Sequence, residues 1–224
     1  LHALEGGTCT FGVLRNAAYY NLSDLVQRFH AQYPNVRVRL VGLNSALVAE
    51  SIASGEIEAG LVVLPVEETG LRSTPLFRDE VLYASTGRPE ERGPVTISDV
   101  SAAKLVLYDA YAGWSDPTRR QLLERARLEG LTIDPAIEVE HVETALSLVA
   151  SGSADTIVSR TIAESPSFPP GIRLTPFAEP LYDTIALVQR EGADLSPATR
   201  RFAELAEQTL LEKVGEHAGR TPAE

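Results

Sequence analysis

The stretch Arg37–Val63, RVRLVGLNSALVAESIASGEIEAGLVV, constrains the fold of this chain more than any other. Arg37–Gly42 alternates charged and apolar residues and then turns apolar, as a strand entering a covered sheet does. Asn44 and Ser45 offer side-chain oxygens for the amide groups at a helix N-terminus. Leu47, Val48 and Ile52 recur at helical spacing, with Glu50 and Ser51 facing outward. Ser54-Gly55 closes the helix, Gly55 suiting a left-handed C-terminal position, and Gly60–Leu64 is a buried strand ending at Pro65. Two strands joined by a helix lie parallel, with a right-handed crossover. In such sheets a small ligand sits beyond the carboxyl ends of the strands. Asn44 and Ser45 therefore stand at the mouth of a candidate site.

The flanking residues repeat this grammar. Thr8–Leu14 reads as a first strand, Arg15–Tyr20 as its outgoing loop, and Asn21–Tyr33 as a helix with Leu22, Leu25, Val26 and Phe29 on one face. Beyond the polar loop Glu67–Gly70, extended segments are expected at Arg72–Phe77 and Asp79–Ser85, followed by an exposed loop at Gly87–Gly93. A second series then begins: a short helix over Thr96–Ala103, capped by Thr96 or Ser98, and a strand at Lys104–Tyr108. The loop Asp109–Asp116 leads to a helix from Pro117 to about Glu129. A strand at Ala136–Glu140, a helix at His141–Ser151 and a strand at Ala154–Ser159 complete the series. Ala53-Ser54-Gly55 and Ala150-Ser151-Gly152 close corresponding helices, so the halves pair. Ile172–Thr175 and Leu181–Val188 read as extended, and Ser196–Leu211 as an amphipathic helix. The expected fold class is α/β, with two Rossmann-like lobes joined by two crossover strands. Lobe I comprises 8–83 plus 184–211 and lobe II 84–183. Residues 1–7 are expected to end a linker, and 212–224 to form a loose tail. The helix N-termini after Leu14, Gly42, Tyr108 and Glu140 are expected to gather at a cleft between the lobes, where their partial positive charge favours an anion.

Composition narrows the function. The 224 residues carry a formal net charge of −11, which argues against this piece gripping DNA or an anionic membrane through its own surface field. No apolar run approaches the length of about 18 residues that a membrane span needs. The single cysteine, Cys9, excludes an intramolecular disulfide and reads as a small core residue rather than a catalytic thiol. His2, His30, His141 and His217 show no paired metal-ligand spacing, and no Gly-x-Ser-x-Gly elbow or P-loop occurs. The acidic pairs Glu56/Glu58 and Glu90/Glu91 read as solvated faces beside turns. No catalytic turnover, metal or cofactor is expected. The chain begins at Leu1 and has no methionine, so an N-terminal part is expected to have been removed.

The order of these segments resembles the effector-binding domain of LysR-type transcriptional regulators, whose fold is periplasmic-binding-protein-like, type 2. The similar residues are Phe11-Gly12-Val13, Phe29…Tyr33-Pro34-Asn35-Val36, and Asn44-Ser45…Leu47 with Gly55-Glu56-Ile57-Glu58-Ala59. Glu143-Thr144-Ala145-Leu146…Val149-Ala150-Ser151-Gly152 and Leu195-Ser196-Pro197-Ala198…Phe202 continue the likeness, which covers roughly residues 6–211. Where the family often has a small hydroxyl residue after the first strand, this chain has Leu14-Arg15-Asn16. Where it often has a glycine-rich strand ending in proline, Ser153–Arg160 carries Asp155. The resemblance implies a cytoplasmic transcription factor whose winged helix-turn-helix lies outside this chain and alone touches DNA. It implies a small-molecule effector in the cleft and no membrane. It also implies a homodimer or tetramer that pairs the Asn21–Tyr33 helix with a second-lobe helix of the partner such as Asp116–Glu129. A transporter's solute-binding protein is the alternative on the same fold.

The candidate ligand-binding residues are Arg15, Asn16, Asn44, Ser45, Trp114, His141 and Arg160. Asn44 and Ser45 carry two readings, helix cap and ligand contact. Arg15 in the first loop offers a bidentate hold on a carboxylate, against a plain surface ion pair. Trp114 offers a stacking surface or covers a core edge. Tyr108 and Tyr111 are weaker candidates beside it. His141 stands at a helix cap, Glu143 suits the helix dipole, and Arg160 and Thr161 follow the last strand of the second series. The expected effector is a small organic anion.

Overall fold

A computed structural model of the protein describes residues 6–67, 69–214 and 220–222. The chain divides into two compact units, Leu1–Arg78 with Thr184–Glu224, and Asp79–Asp183. In the first unit, β1 (Thr8–Leu14) leads through a 3-10 turn at Ala17–Tyr20 to α1 (Leu22–Gln32), then β2 (Arg37–Leu43), α2 (Ser45–Ala53) and β3 (Ala59–Leu64). The Leu64-Pro65 peptide that follows is cis. β4 (Leu71–Ser85) runs on into the second unit. That unit contains α3 (Ile97–Ala102), β5 (Val106–Leu107), α4 (Pro117–Leu128), β6 (Ile137–Glu138), α5 (Val142–Ala150), β7 (Thr156–Ser159) and α6 (Arg160–Ala163). β8 (Arg173–Arg190) leads back, and α7 (Pro197–Val214) and β9 (Arg220–Pro222) end the described chain.

The first unit is a sheet in the order β2-β1-β3-β8. β1 pairs in parallel with both β2 and β3, and β3 pairs antiparallel with the last part of β8. Side chains alternate between two cores, because successive residues of a strand face opposite ways. Cys9, Phe11, Val13, Leu61, Val63, Ile185 and Leu187 point to one face. There the rings of Phe11, Phe29 and Phe202 pack with centroids 4.9–5.2 Å apart, joining the sheet to α1 and α7. Burial pushes the Cys9 thiol up to about 11, so it stays protonated as a core residue. Val62, Ala186 and Val188 point to the other face, where α2 lies with Val48, Ala49 and Ile52.

Two glycines set the depth of α2. Gly12 and Gly60 are register partners on β1 and β3. A Cβ on Gly60 would stand 2.7 Å from the Gly12 carbonyl oxygen and 2.9 Å from Val48 Cγ1, and one on Gly12 would stand 2.7 Å from Val48 Cγ1. Only hydrogen leaves room for the helix at this distance.

In the second unit β4 pairs antiparallel with β7, and β5 pairs in parallel with β6. Val81, Tyr83, Leu107, Leu122, Ile157 and Leu181 form its main core, and α5 covers a smaller one through Ala145 and Val149. α3 opens on a complete capping box between Thr96 and Asp99, which settles the cap on Thr96.

Several segments differ from the sequence expectation. β4 is one strand of 15 residues and β8 one of 18, each passing through proline. Pro75, Pro176 and Pro180 are exposed, so the missing amide donor is lost on the solvent side and the extended backbone continues. The Pro176 carbonyl accepts from Val95 N, and Arg125 binds the carbonyls of Glu179 and Pro180. The Gly87–Gly93 loop is not wholly exposed, because Arg88 within it is buried. α6 follows β7 directly, where no element was expected, and α7 continues to Val214 rather than stopping at Leu211. Part of the expected linker (1–5) and tail (215–219, 223–224), with His2, Glu68 and His217, lies outside the described residues.

Gly60→Ala is expected to destabilise the protein by about 1–3 kcal/mol, because the Gly12 carbonyl cannot yield as a side chain would. Urea unfolding would measure it. Gly87→Ala, whose Cβ would meet nothing within 4 Å, is the control and should stay within about 0.5 kcal/mol of the parent.

Candidate functional site

The carboxyl ends of the strands carry the site residues in each unit. In the first unit, Arg15 and Asn16 follow β1 and are half-buried, with Asn16 opening the 3-10 turn and its carbonyl accepting from Tyr19 N. Asn44 is buried at the N-terminus of α2, and its Oδ1 accepts from Ala46 N at 3.0 Å. Ser45, also buried, accepts from Val63 N at 2.9 Å, tying the first turn of α2 to β3. Both side chains thus serve the scaffold.

In the second unit, Trp114 lies half-buried in a 3-10 turn between β5 and α4, against the edge of the main core. The Arg119 guanidinium sits 4.7 Å from its ring centroid. Arg119 is buried and donates to Glu138 at 2.5 Å, while its Nε and Nη1 have no partner among the described residues. His141 is exposed at the N-terminus of α5 and makes no side-chain cap bond. Arg160 binds Glu80 through both Nε and Nη2 and stands 4.0 Å from Glu164, so its charge is largely spent within the unit. Tyr111 is 81% exposed and its amide donates to Glu140.

The same end of this unit holds a group that the sequence did not single out. Asp79 on β4, Asp109 after β5, Asp116 capping α4 and Asp183 on β8 are all buried. Asp79 accepts from Thr161 N at 3.3 Å, Asp116 accepts from Arg119 N at 2.9 Å, and Asp183 accepts from Thr118 Oγ1 at 2.7 Å. Asp109 takes a left-handed backbone, with φ of 60°. Burial pushes the Asp183 carboxyl up to about 8; Thr118 opposes the rise, and the charges of Asp116, Asp79 and Asp109 add to it. Burial first, and then the same carboxylates, push the neighbouring Tyr108 phenol well above its ordinary range. No set of three or more His, Cys, Asp or Glu among the described residues is arranged to hold a metal ion. Chemically the group holds a proton and accepts hydrogen bonds, and it disfavours an anion beside it.

The comparisons with known proteins decide the family. The sequence matches the family described as LysR substrate binding domain over residues 2–211. The chain belongs to that family. Similar curated proteins include an uncharacterized HTH-type transcriptional regulator, YcgK, of Bacillus subtilis strain 168, 25% identical over 94% of this chain and 69% of that protein. A probable HTH-type transcriptional regulator, LrrA, of Synechococcus elongatus is 28% identical over 93% of this chain and 69% of that protein. This LysR domain spans 62–71% of the length of such relatives. Among solved structures, the BenM effector binding domain with its effector benzoate superposes with a TM-score of 0.75 at 20% identity, covering 95% of both chains. The fold is therefore α/β, two units joined by two strands, of the type 2 periplasmic-binding-protein-like class. The relatives are transcriptional regulators, not the transporter proteins of the alternative reading. No helix among the described residues is long and apolar enough to cross a membrane.

The proton on Asp183 fixes a pH dependence. Unfolded, the carboxyl ionises near its ordinary value of 3.8; folded, it holds its proton to about 8. The folded state binds the extra proton across that window, so this group makes stability fall as pH rises through it and stay low above it. Asp183→Asn keeps an oxygen for Thr118 and cannot ionise. Urea unfolding at about pH 5 and about pH 9 should show the variant gaining on the parent at the higher pH. A difference that does not change with pH would show that Asp183 is not the titrating group.

Proposed function

We propose that this LysR domain senses a small-molecule effector and transmits its presence to a DNA-binding part of the same full-length regulator. The match to the LysR substrate binding domain family over residues 2–211 carries the reading. The HTH-type names of the relatives support a DNA-binding part outside this chain. A net charge of −11 supports a domain that leaves DNA contact to another part. The effector acts only as far as it prefers one conformation of the regulator to another. The protein works in the cytoplasm as a homodimer or tetramer, touches DNA but no membrane, and does not turn its effector over.

The effector is a small organic molecule with an acidic group. Its acidic group belongs with the strand ends of the first unit, where Arg15 and Asn16 stand, because the buried acidic cluster of the second unit disfavours an anion. Asn44 and Ser45 shape that end, and the Ser45 hydroxyl keeps its proton to donate. In the second unit Trp114 offers a ring face and His141 an exposed imidazole, while Arg160 acts through Glu80 rather than by direct contact.

A thermal-shift panel of small organic acids tests the reading. A selective ligand at about a hundred times its dissociation constant should stabilise the domain by about 2.7 kcal/mol. Arg15→Ala should then weaken that ligand by about 1.5–3 kcal/mol in calorimetry, the worth of a charge-assisted contact. In the full-length protein, the same ligand should change the affinity for promoter DNA. A ligand that binds the domain and leaves DNA affinity and transcription untouched would refute the proposal.

A further inference from the structure

The second unit carries another cavity, of about 210 Å³, lined by Tyr83, Ser85, Arg88, Arg92, Asp99 and Asp155 among others. Asp155 precedes β7, and Ala102 and Ala103, which also line it, precede β5. The cavity therefore opens at the amino ends of these strands, opposite the site described above.

Its polar groups are unevenly used. The Arg88 side chain is 6% exposed, and its Nη2 donates to Asp99 at 3.1 Å and to the carbonyls of Gly93 and Pro94. Its Nε is closed to solvent and has no partner among the described residues. Arg92 donates to the other oxygen of Asp99 at 3.3 Å and is otherwise 61% exposed. Asp99 also accepts from Thr96 N at 3.0 Å. The Thr96 amide first, and then Arg88, hold its carboxyl below the usual range. Two guanidinium groups thus share one saturated carboxylate, leaving a surplus positive charge whose exposed donors are on Arg92. Asp155 has one side-chain donor among the described residues, the Tyr83 hydroxyl at 2.6 Å. Burial and that bond keep the phenol protonated, and no cation among the described residues forms an ion pair with Asp155.

We propose that this cavity is a second ligand site, for a small zwitterion with its carboxylate on Arg92, beside the Arg88 charge, and its ammonium group on Asp155. The volume, equal to about seven waters at ~30 Å³ each, fits a short α-amino acid. Charge of both signs on one small molecule satisfies groups that a plain anion or a plain cation would satisfy only by half. The site is independent of the effector proposed above, and its failure leaves that proposal standing.

Calorimetric titration of the whole chain with glycine, L-alanine and L-serine tests it. At least one should bind saturably at one site, and about tenfold more weakly to Asp155→Asn and to Arg92→Gln. N-acetyl-L-alanine, which lacks the ammonium group, and L-alaninamide, which lacks the carboxylate, should bind the parent chain worse than L-alanine by a similar factor. These capped compounds decide the matter on the unaltered chain should either substitution unfold it. Saturable binding of none of the three amino acids, or equal binding of the capped compounds, would overturn the proposal.

Discussion

The closeness of α2 to the first unit's sheet is the constraint on which the candidate site depends. Gly12 and Gly60 let Val48 rest almost on the backbone, and the buried face of Val48, Ala49 and Ile52 holds the helix there. Burying the Val48 and Ile52 side chains contributes about 1.5–3 kcal/mol each. The N-terminus of α2 is fixed as a result, with Ser45 bonded to Val63 and Asn44 to Ala46. Two small residues in the middle of strands thus determine where an amide-rich helix end is presented.

The second unit solves a harder problem. It buries four carboxyl groups, on β4, after β5, at the start of α4 and on β8, and desolvation of a charge is far more costly than exposure of an apolar side chain. Helix ends and hydroxyls absorb part of that cost: Arg119 N on Asp116, Thr161 N on Asp79 and Thr118 on Asp183. Asp183 meets the remainder by keeping its proton. Such an arrangement costs stability, and strongly perturbed carboxyl groups of this kind cluster at functional sites in proteins generally.

Much of this was legible in residue periodicity. The strand at Thr8–Leu14, the capped start of α2 and Gly55 at its close follow from local chemistry, and the structure reproduces them. The N-terminal ends of α4 and α5 were readable for the same reason, so Trp114 stands in the turn before α4 and His141 at the start of α5, as expected. Proline misled in β8, because Pro176 and Pro180 are breakers only where a strand needs their missing amide. α6 was invisible because four residues carry no period, although Ser159 at its cap was a usable sign. The acidic cluster was missed for a different reason. Asp79 and Asp183 meet their neighbours only through long-range folding, and the one local hint was an acid interrupting the apolar run LYDTIALV. Arg88 was hidden by its charged surroundings, since composition cannot tell a clamp from a solvated loop.

Trp114 is the chain's only indole and rests on a buried guanidinium in the turn between β5 and α4. Its emission therefore reports a single address, free of overlap from other tryptophans. A change in colour or intensity reads out whether that cation still lies beneath the ring, so the molecule carries its own optical gauge for the turn from which α4 departs.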